Sequence, residues 1–105
     1  MKFSEYAEAA KRTAPIADHP DVGLAVFGLG LSGEAGEVAE LLKKHIGHGI
    51  ELDREKLCKE LGDVLWYLAA VADSSGIPLE EVAEANVAKL RERYPDGFVA
   101  GGGVR

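Results

Sequence analysis

The chain is short of cysteine, of basic charge and of long apolar runs, and each shortage removes a class of protein. Cys58 is the only cysteine among 105 residues, which excludes an intrachain disulfide and fits a reducing compartment. Lys and Arg number 12 against 18 Asp and Glu, a formal net charge of −6. Such a surface repels a phosphate backbone, so no stable nucleic-acid partner is expected. A polyphosphate approaching this chain calls for a divalent cation held by some of those carboxylates. The N-terminal MKFSEYAEAAKRTA pairs no basic flank with an apolar region, and no apolar run reads as long enough to span a bilayer. No membrane partner is therefore expected, and the cytoplasm is the expected compartment.

What is present suits one soluble domain: 47% hydrophobic and 29% charged residues, in a length typical of one core. A chain of this size buries only roughly 60–70% of the surface it exposes when unfolded. A homo-oligomer that supplements so thin a core is expected.

Four segments read as helices. The first runs from about Ser4, a side-chain cap, to Thr13, and Pro15 stops it. After the turn residues Pro20 and Asp21, with Asp21 as N-cap, the second reaches His48. Its Leu24, Phe27, Leu31, Val38, Leu41, Leu42 and Ile46 recur mostly at spacings of three and four, the period of one buried face. Gly47 and Gly49 close it. Asp53 caps the third, whose stripe is Leu57, Leu61, Val64, Leu65, Leu68 and Val71 before Ser74-Ser75-Gly76. The fourth starts at Pro78 or Leu79 and runs through Val82, Ala85, Val87 and Leu90 to Arg93. Short links between helices predict an all-α, antiparallel four-helix bundle-like domain over residues 1–98, with 99–105 a flexible Gly-rich tail.

Gly28-Leu29-Gly30-Leu31-Ser32-Gly33 satisfies the dinucleotide fingerprint G-x-G-x-x-G. That mechanism needs a strand before the glycines and a second parallel strand after the helix, and no segment here alternates like a strand. Gly28, Ser32 and Gly36 instead recur every four residues as one small-residue face. Each glycine weakens a helix by about 1 kcal/mol relative to alanine. Close packing against another helix accounts for that cost; a local break that makes room for a ligand is the alternative.

Glu34 and Glu37 are three apart, as are Glu60 and Asp63, so each pair shares one helix face at roughly 60° in projection. Either pair alone is an ordinary solvated feature. Antiparallel packing of the second and third helices would set the pairs face to face, and clustered like charges near a core imply a cation between them. Oxygen-only ligands select magnesium (Mg2+), with manganese (Mn2+) a substitute, over zinc. A di-iron carboxylate bundle needs Glu-x-x-His on two helices, and Leu42 and His45 occupy the positions three before His45 and His48. The two histidines fit better as hydrogen bonders or cations at a helix C-terminus. Cys58 reads as a small core or half-buried residue. Trp66, on an apolar run, reads as core before it reads as a base-stacking ring.

The run Gly30-Leu31-Ser32-Gly33-Glu34-Ala35-Gly36-Glu37-Val38, followed after 22 residues by Glu60-Leu61-Gly62-Asp63-Val64-Leu65-Trp66-Tyr67-Leu68, closely resembles the MazG-like nucleoside triphosphate pyrophosphohydrolases. Asn86-Val87-Ala88-Lys89-Leu90 and Arg93-Tyr94-Pro95-Asp96-Gly97-Phe98 are similar to that family's closing block. The resemblance implies a MazG fold assembled as a homodimer or homotetramer. It also implies hydrolysis of a (deoxy)nucleoside triphosphate at the α–β bond to monophosphate and pyrophosphate, in the manner of nucleotide-pool house-cleaning. Glu34, Glu37, Glu60 and Asp63 match the metal ligands, and Glu37 is the candidate to activate water. Asn86 and Lys89 match phosphate-contacting positions, with Lys44 and Arg93 weaker candidates. The alternative is a non-catalytic dimerising helical module with a metal-binding acidic cluster; all four carboxylates being present favours the enzyme.

Overall fold

A computed structural model describes residues 1–14 and 20–100. Four helices follow in order: α1 Phe3–Lys11, α2 Pro20–His48, α3 Arg54–Ser74 and α4 Leu79–Arg93. No strand occurs among the described residues. Local chemistry sets most of the ends. Asp53 accepts the Lys56 N–H at 3.1 Å and caps α3. Gly49 takes a positive φ of 66° just past α2, a conformation that suits glycine. There the His45 ring Nδ1–H donates to the Ile50 carbonyl at 2.8 Å, the role expected of a histidine at that terminus. Gly76, with φ of 71°, similarly turns the chain after α3.

Two expected caps move. Ser4 lies inside α1, whose N-cap is Lys2; the Lys2 N–H is satisfied by Glu5 Oε1 at 2.9 Å. Asp21 falls in the first turn of α2, where its charge complements the dipole. At the other end α1 stops at Lys11, before Pro15 is reached, and the Thr13 hydroxyl donates to the Ala10 carbonyl at 2.8 Å. Pro15, the connector 16–19 and the tail 101–105 lie outside the described residues.

α2 and α3 pair along most of their lengths. α1 and α4 pack on α3 and on each other, and α4 does not reach α2. The four-helix architecture is thus an α2–α3 hairpin with two helices on one flank. Its core is thin: Phe27, Ala69, Ala72 and Leu79 are the buried hydrophobic side chains among the described residues. The expected α2 stripe divides in two. Phe27 is buried and Leu31, Val38 and Leu41 are half-buried toward α3, whereas Leu24, Leu42 and Ile46 are exposed. Leu61 of α3 and Val87 and Leu90 of α4 are exposed as well, and Cys58, expected in or near the core, is exposed. Apolar spacing marks which side chains seek burial without saying that this chain alone can bury them.

α2 is an unbroken helix of 29 residues, so its glycines open no ligand-sized break. Among them the close contact is at Gly30, where an added Cβ would run into the Tyr67 ring of α3. A Cβ at Gly28, Gly33 or Gly36 would meet nothing. Close helix packing therefore explains Gly30, and among the described residues no helix lies against Gly28 or Gly36. By length and composition the helix Asp21–His48, through an 18-residue window of mean hydropathy 1.2, is also apolar enough to cross a membrane, which amends the expectation from apolar runs. Its apolarity is shared between the α3-facing side and an exposed stripe.

Candidate metal and nucleotide site

The α2–α3 hairpin brings the two carboxylate pairs together. Glu34, Glu60 and Asp63 each offer an oxygen, and these atoms all lie within 4.8 Å of one another. Glu34 and Glu60 are half-buried and Asp63 is exposed. Burial, and then the charges of Asp63, Glu60 and Glu37, hold the Glu34 carboxyl above its ordinary pKa. Each neighbouring carboxylate adds to the effect of burial, because a like charge disfavours the ionised form. Three hard oxygens at this spacing suit a divalent cation of the magnesium or calcium type, and the residues present fit such a group. Glu37 is exposed and stands outside the trio, though its charge reaches Glu34.

Beside the carboxylates is an open groove of about 370 Å³ lined by Thr13, Glu34, Asp63, Trp66 and Tyr67. Trp66 is half-buried. Its Nε1–H donates to Thr13 Oγ1 at 2.8 Å, and its ring meets Phe27 edge-on at 6.0 Å and Tyr67 edge-on at 4.9 Å. The indole therefore links the core to the groove and belongs to both. On its far side Trp66 also lines a cavity of about 440 Å³ between α1, α2 and α3, walled by Phe27 and several alanines and rimmed by Lys11, Arg12 and Asp73. The phenol of Tyr6 on α1 is pushed above its usual pKa by burial and by the Asp63 charge.

Tyr6, Thr13 and Tyr67 were missed by sequence reasoning as members of this neighbourhood. Tyr6 signals only as part of an apolar stripe, and Tyr67 only by its place four residues after Asp63. The remaining candidates stand apart. Lys44 is exposed on α2, ten residues and about 15 Å of helix beyond Glu34. Asn86 and Lys89 are exposed and Arg93 is half-buried, all on α4, which does not contact α2. None of the four lines the groove among the described residues.

Residues 26–98 match the MazG nucleotide pyrophosphohydrolase domain. The chain belongs to that family. The matched span takes in both carboxylate pairs, Trp66, Tyr67 and all of α4, so the resemblance carried by the motifs extends through the fold. Among curated proteins, the chain is 39% identical over 85 residues to the Gene 37 protein of Mycobacterium phage L5, covering 77% of this chain and 75% of that one. It is 34% identical over 70 residues to the uncharacterized protein YvdC of Bacillus subtilis, covering 58% and 66%. No solved structure matches the chain.

Proposed function

We propose that this MazG-domain chain hydrolyses a nucleoside or deoxynucleoside triphosphate between its α and β phosphates, releasing the monophosphate and pyrophosphate. The observation that carries the reading is the convergence of Glu34, Glu60 and Asp63 across α2 and α3, at the mouth of a groove walled by Trp66 and Tyr67. Glu34, Glu60 and Asp63 would hold magnesium, or manganese in its place, with Glu37 beside them. The cation, when bound, supplies neutralisation of phosphate oxygens and a more acidic water. Glu37, free of the trio and exposed, accepts the proton of the attacking water. The water oxygen bonds to the α phosphorus, and the bond from that phosphorus to the bridging oxygen breaks with pyrophosphate as leaving group. Asn86 and Lys89, and less strongly Lys44 and Arg93, are the proposed donors to phosphate; none of them lines the groove among the described residues, so they would meet only a part of the substrate that extends beyond it. Assembly as a homo-oligomer, a cytoplasmic location and a part in clearing surplus or non-standard nucleotides complete the reading.

The test is incubation of pure protein with a panel of canonical and modified triphosphates and magnesium, followed by assay of pyrophosphate and monophosphate. Expected is pyrophosphate release that Glu37→Gln and Asp63→Asn each reduce by at least 100-fold, in the range for loss of a general base. No turnover on any substrate, or undiminished turnover in both variants, overturns the assignment. Inorganic phosphate in place of pyrophosphate moves the cleaved bond.

A further inference from the structure

Among the described residues Trp66 alone lines both the carboxylate groove and the cavity of about 440 Å³ behind it. Space on two sides leaves a ring without partner atoms there, so packing by itself holds it loosely. The cavity is kept open by short side chains, among them Ala7, Ala10, Ala69 and Ala70, and has room for the indole to swing into it. Edge-on contacts with Phe27 at 6.0 Å and Tyr67 at 4.9 Å limit the tilt of the ring. What decides where its N–H edge lies is the bond from Nε1 to Thr13 Oγ1 at 2.8 Å.

Thr13 is well made to receive that bond. It lies two residues past the end of α1 at Lys11, where a chain end would otherwise fray. Its backbone N–H reaches the Ala10 carbonyl at 3.0 Å and its hydroxyl donates to the same carbonyl at 2.8 Å. A carbonyl has two lone pairs and can accept both, whereas a hydroxyl has one proton to give. With that proton committed to Ala10, Oγ1 meets the indole as an acceptor. The indole N–H is a donor only. The two groups match in one polarity, on a residue tied down twice.

The wall they form stands beside the carboxylates. Asp63 and Trp66 are three apart on α3, so they share a face about 4.5 Å apart along the helix axis. A nucleotide with its phosphates held at Glu34, Glu60 and Asp63 lays its nucleoside along the neighbouring wall, where the indole offers an aromatic surface the size of a base. An indole turned into the cavity withdraws that surface. Thr13 precedes residue 26, where the match to the MazG domain begins, so the end of α1 adds to the groove from outside the matched span.

We propose that Thr13 is a positioning residue, which holds the Trp66 indole as the nucleoside-facing wall of the groove and so raises substrate affinity through Trp66. The proposal rests on the nucleotide reading of the groove and is independent of whether, or at which bond, the nucleotide is cleaved.

The test separates binding from turnover. Binding is read in magnesium with the non-hydrolysable α,β-imido analogues of dATP and dUTP, through quenching of Trp66, the only tryptophan. Thr13→Val keeps the shape of the side chain and loses the acceptor; it should bind about 10-fold more weakly, the loss of roughly one stacking contact. Thr13→Ser restores the hydroxyl and should return affinity to within about twofold of wild type. In turnover the Thr13→Val loss should fall on KM, with kcat changed by less than about twofold, as for an interaction present equally in ground and transition states. Trp66→Phe keeps a ring without the N–H and, by equilibrium dialysis, should lose a similar factor; adding Thr13→Val to it should cost nothing more. Far-UV circular dichroism at the assay temperature checks that each variant is folded, and if Thr13→Val is not, Trp66→Phe decides alone, with unchanged affinity as the refuting result. Unchanged affinity in a folded Thr13→Val whose Trp66 emission has shifted makes the bond structural only and overturns the proposal. A full further loss from Thr13→Val in the Trp66→Phe background means that Thr13 touches the ligand directly, which also overturns it. A wild type that binds neither analogue overturns both this proposal and the nucleotide reading of the groove. Quenching that Thr13→Val weakens, with no pyrophosphate released from any triphosphate, supports the proposal and overturns the hydrolase reading.

Discussion

Replacing Gly30 with alanine adds one methyl group to the middle of α2, and at most exposed helix positions that change stabilises by about 1 kcal/mol. At Gly30 the methyl lands on the Tyr67 ring. The ring must turn aside, at an overpacking cost of about 1–3 kcal/mol, and in doing so it gives up its edge contact with Trp66 at 4.9 Å. Taking 2 kcal/mol for the clash against 1 kcal/mol of helix gain leaves Gly30→Ala about 1 kcal/mol less stable than wild type. Gly33→Ala provides the control three residues away, since its Cβ meets nothing within 4 Å; it should gain most of the 1 kcal/mol. The two variants should therefore differ by about 2 kcal/mol, or about 1–2 M in urea midpoint for a domain of this size. Protein concentration must be held fixed, because association adds to apparent stability. A midpoint for Gly30→Ala at or above that of Gly33→Ala would refute the close approach of α2 to Tyr67, and with it the shape of the groove.

Three further outcomes follow from the same geometry. Magnesium or manganese at 100 times its dissociation constant should stabilise the wild type by about 2.7 kcal/mol, read as a rise in Tm, and the gain should vanish in the double variant Glu60→Gln, Asp63→Asn. In chelator the raised Glu34 pKa means that the folded state binds this proton more tightly than the unfolded state. Stability should then fall as pH rises from the ordinary carboxylate range through that raised value; denaturation of Glu34→Gln measured across the same range should lack this component. Thr13→Val removes the acceptor of the Trp66 Nε1–H bond and should cost about 1 kcal/mol. As Trp66 is the only tryptophan, its fluorescence should shift with the loss, and an unchanged spectrum would count against that bond.

Much of the fold was legible because it is written in local chemistry. Asp53 as a cap, Gly49 and Gly76 as stops, Pro78 ahead of α4 and the absence of any strand after the glycine fingerprint all depend on residues within a turn or two of each other. Ser4 and Asp21 misled for the same local reason: either side chain can cap, and only the position of the first hydrogen-bonded turn decides whether it does. The site was legible in its anions, since E-x-x-E and E-x-x-D each put two carboxylates on one face.

The sequence by itself determined four helices, their ends to within a few residues, the two acidic pairs and membership of a nucleotide pyrophosphohydrolase family, because periodicity, capping and motif spacing are properties of neighbouring residues. Only the tertiary structure decided that Glu34, Glu60 and Asp63 converge while Glu37 stands beside them. It alone showed that Thr13 and Tyr67 line the groove, that the Tyr6 phenol feels the Asp63 charge, that Cys58 is exposed, and that the apolar stripe of α2 divides into a covered side and an exposed one. Those facts turn on distances between residues tens of positions apart. Such distances are set by how α2 lies on α3, which burial of the whole chain chooses and no single segment encodes.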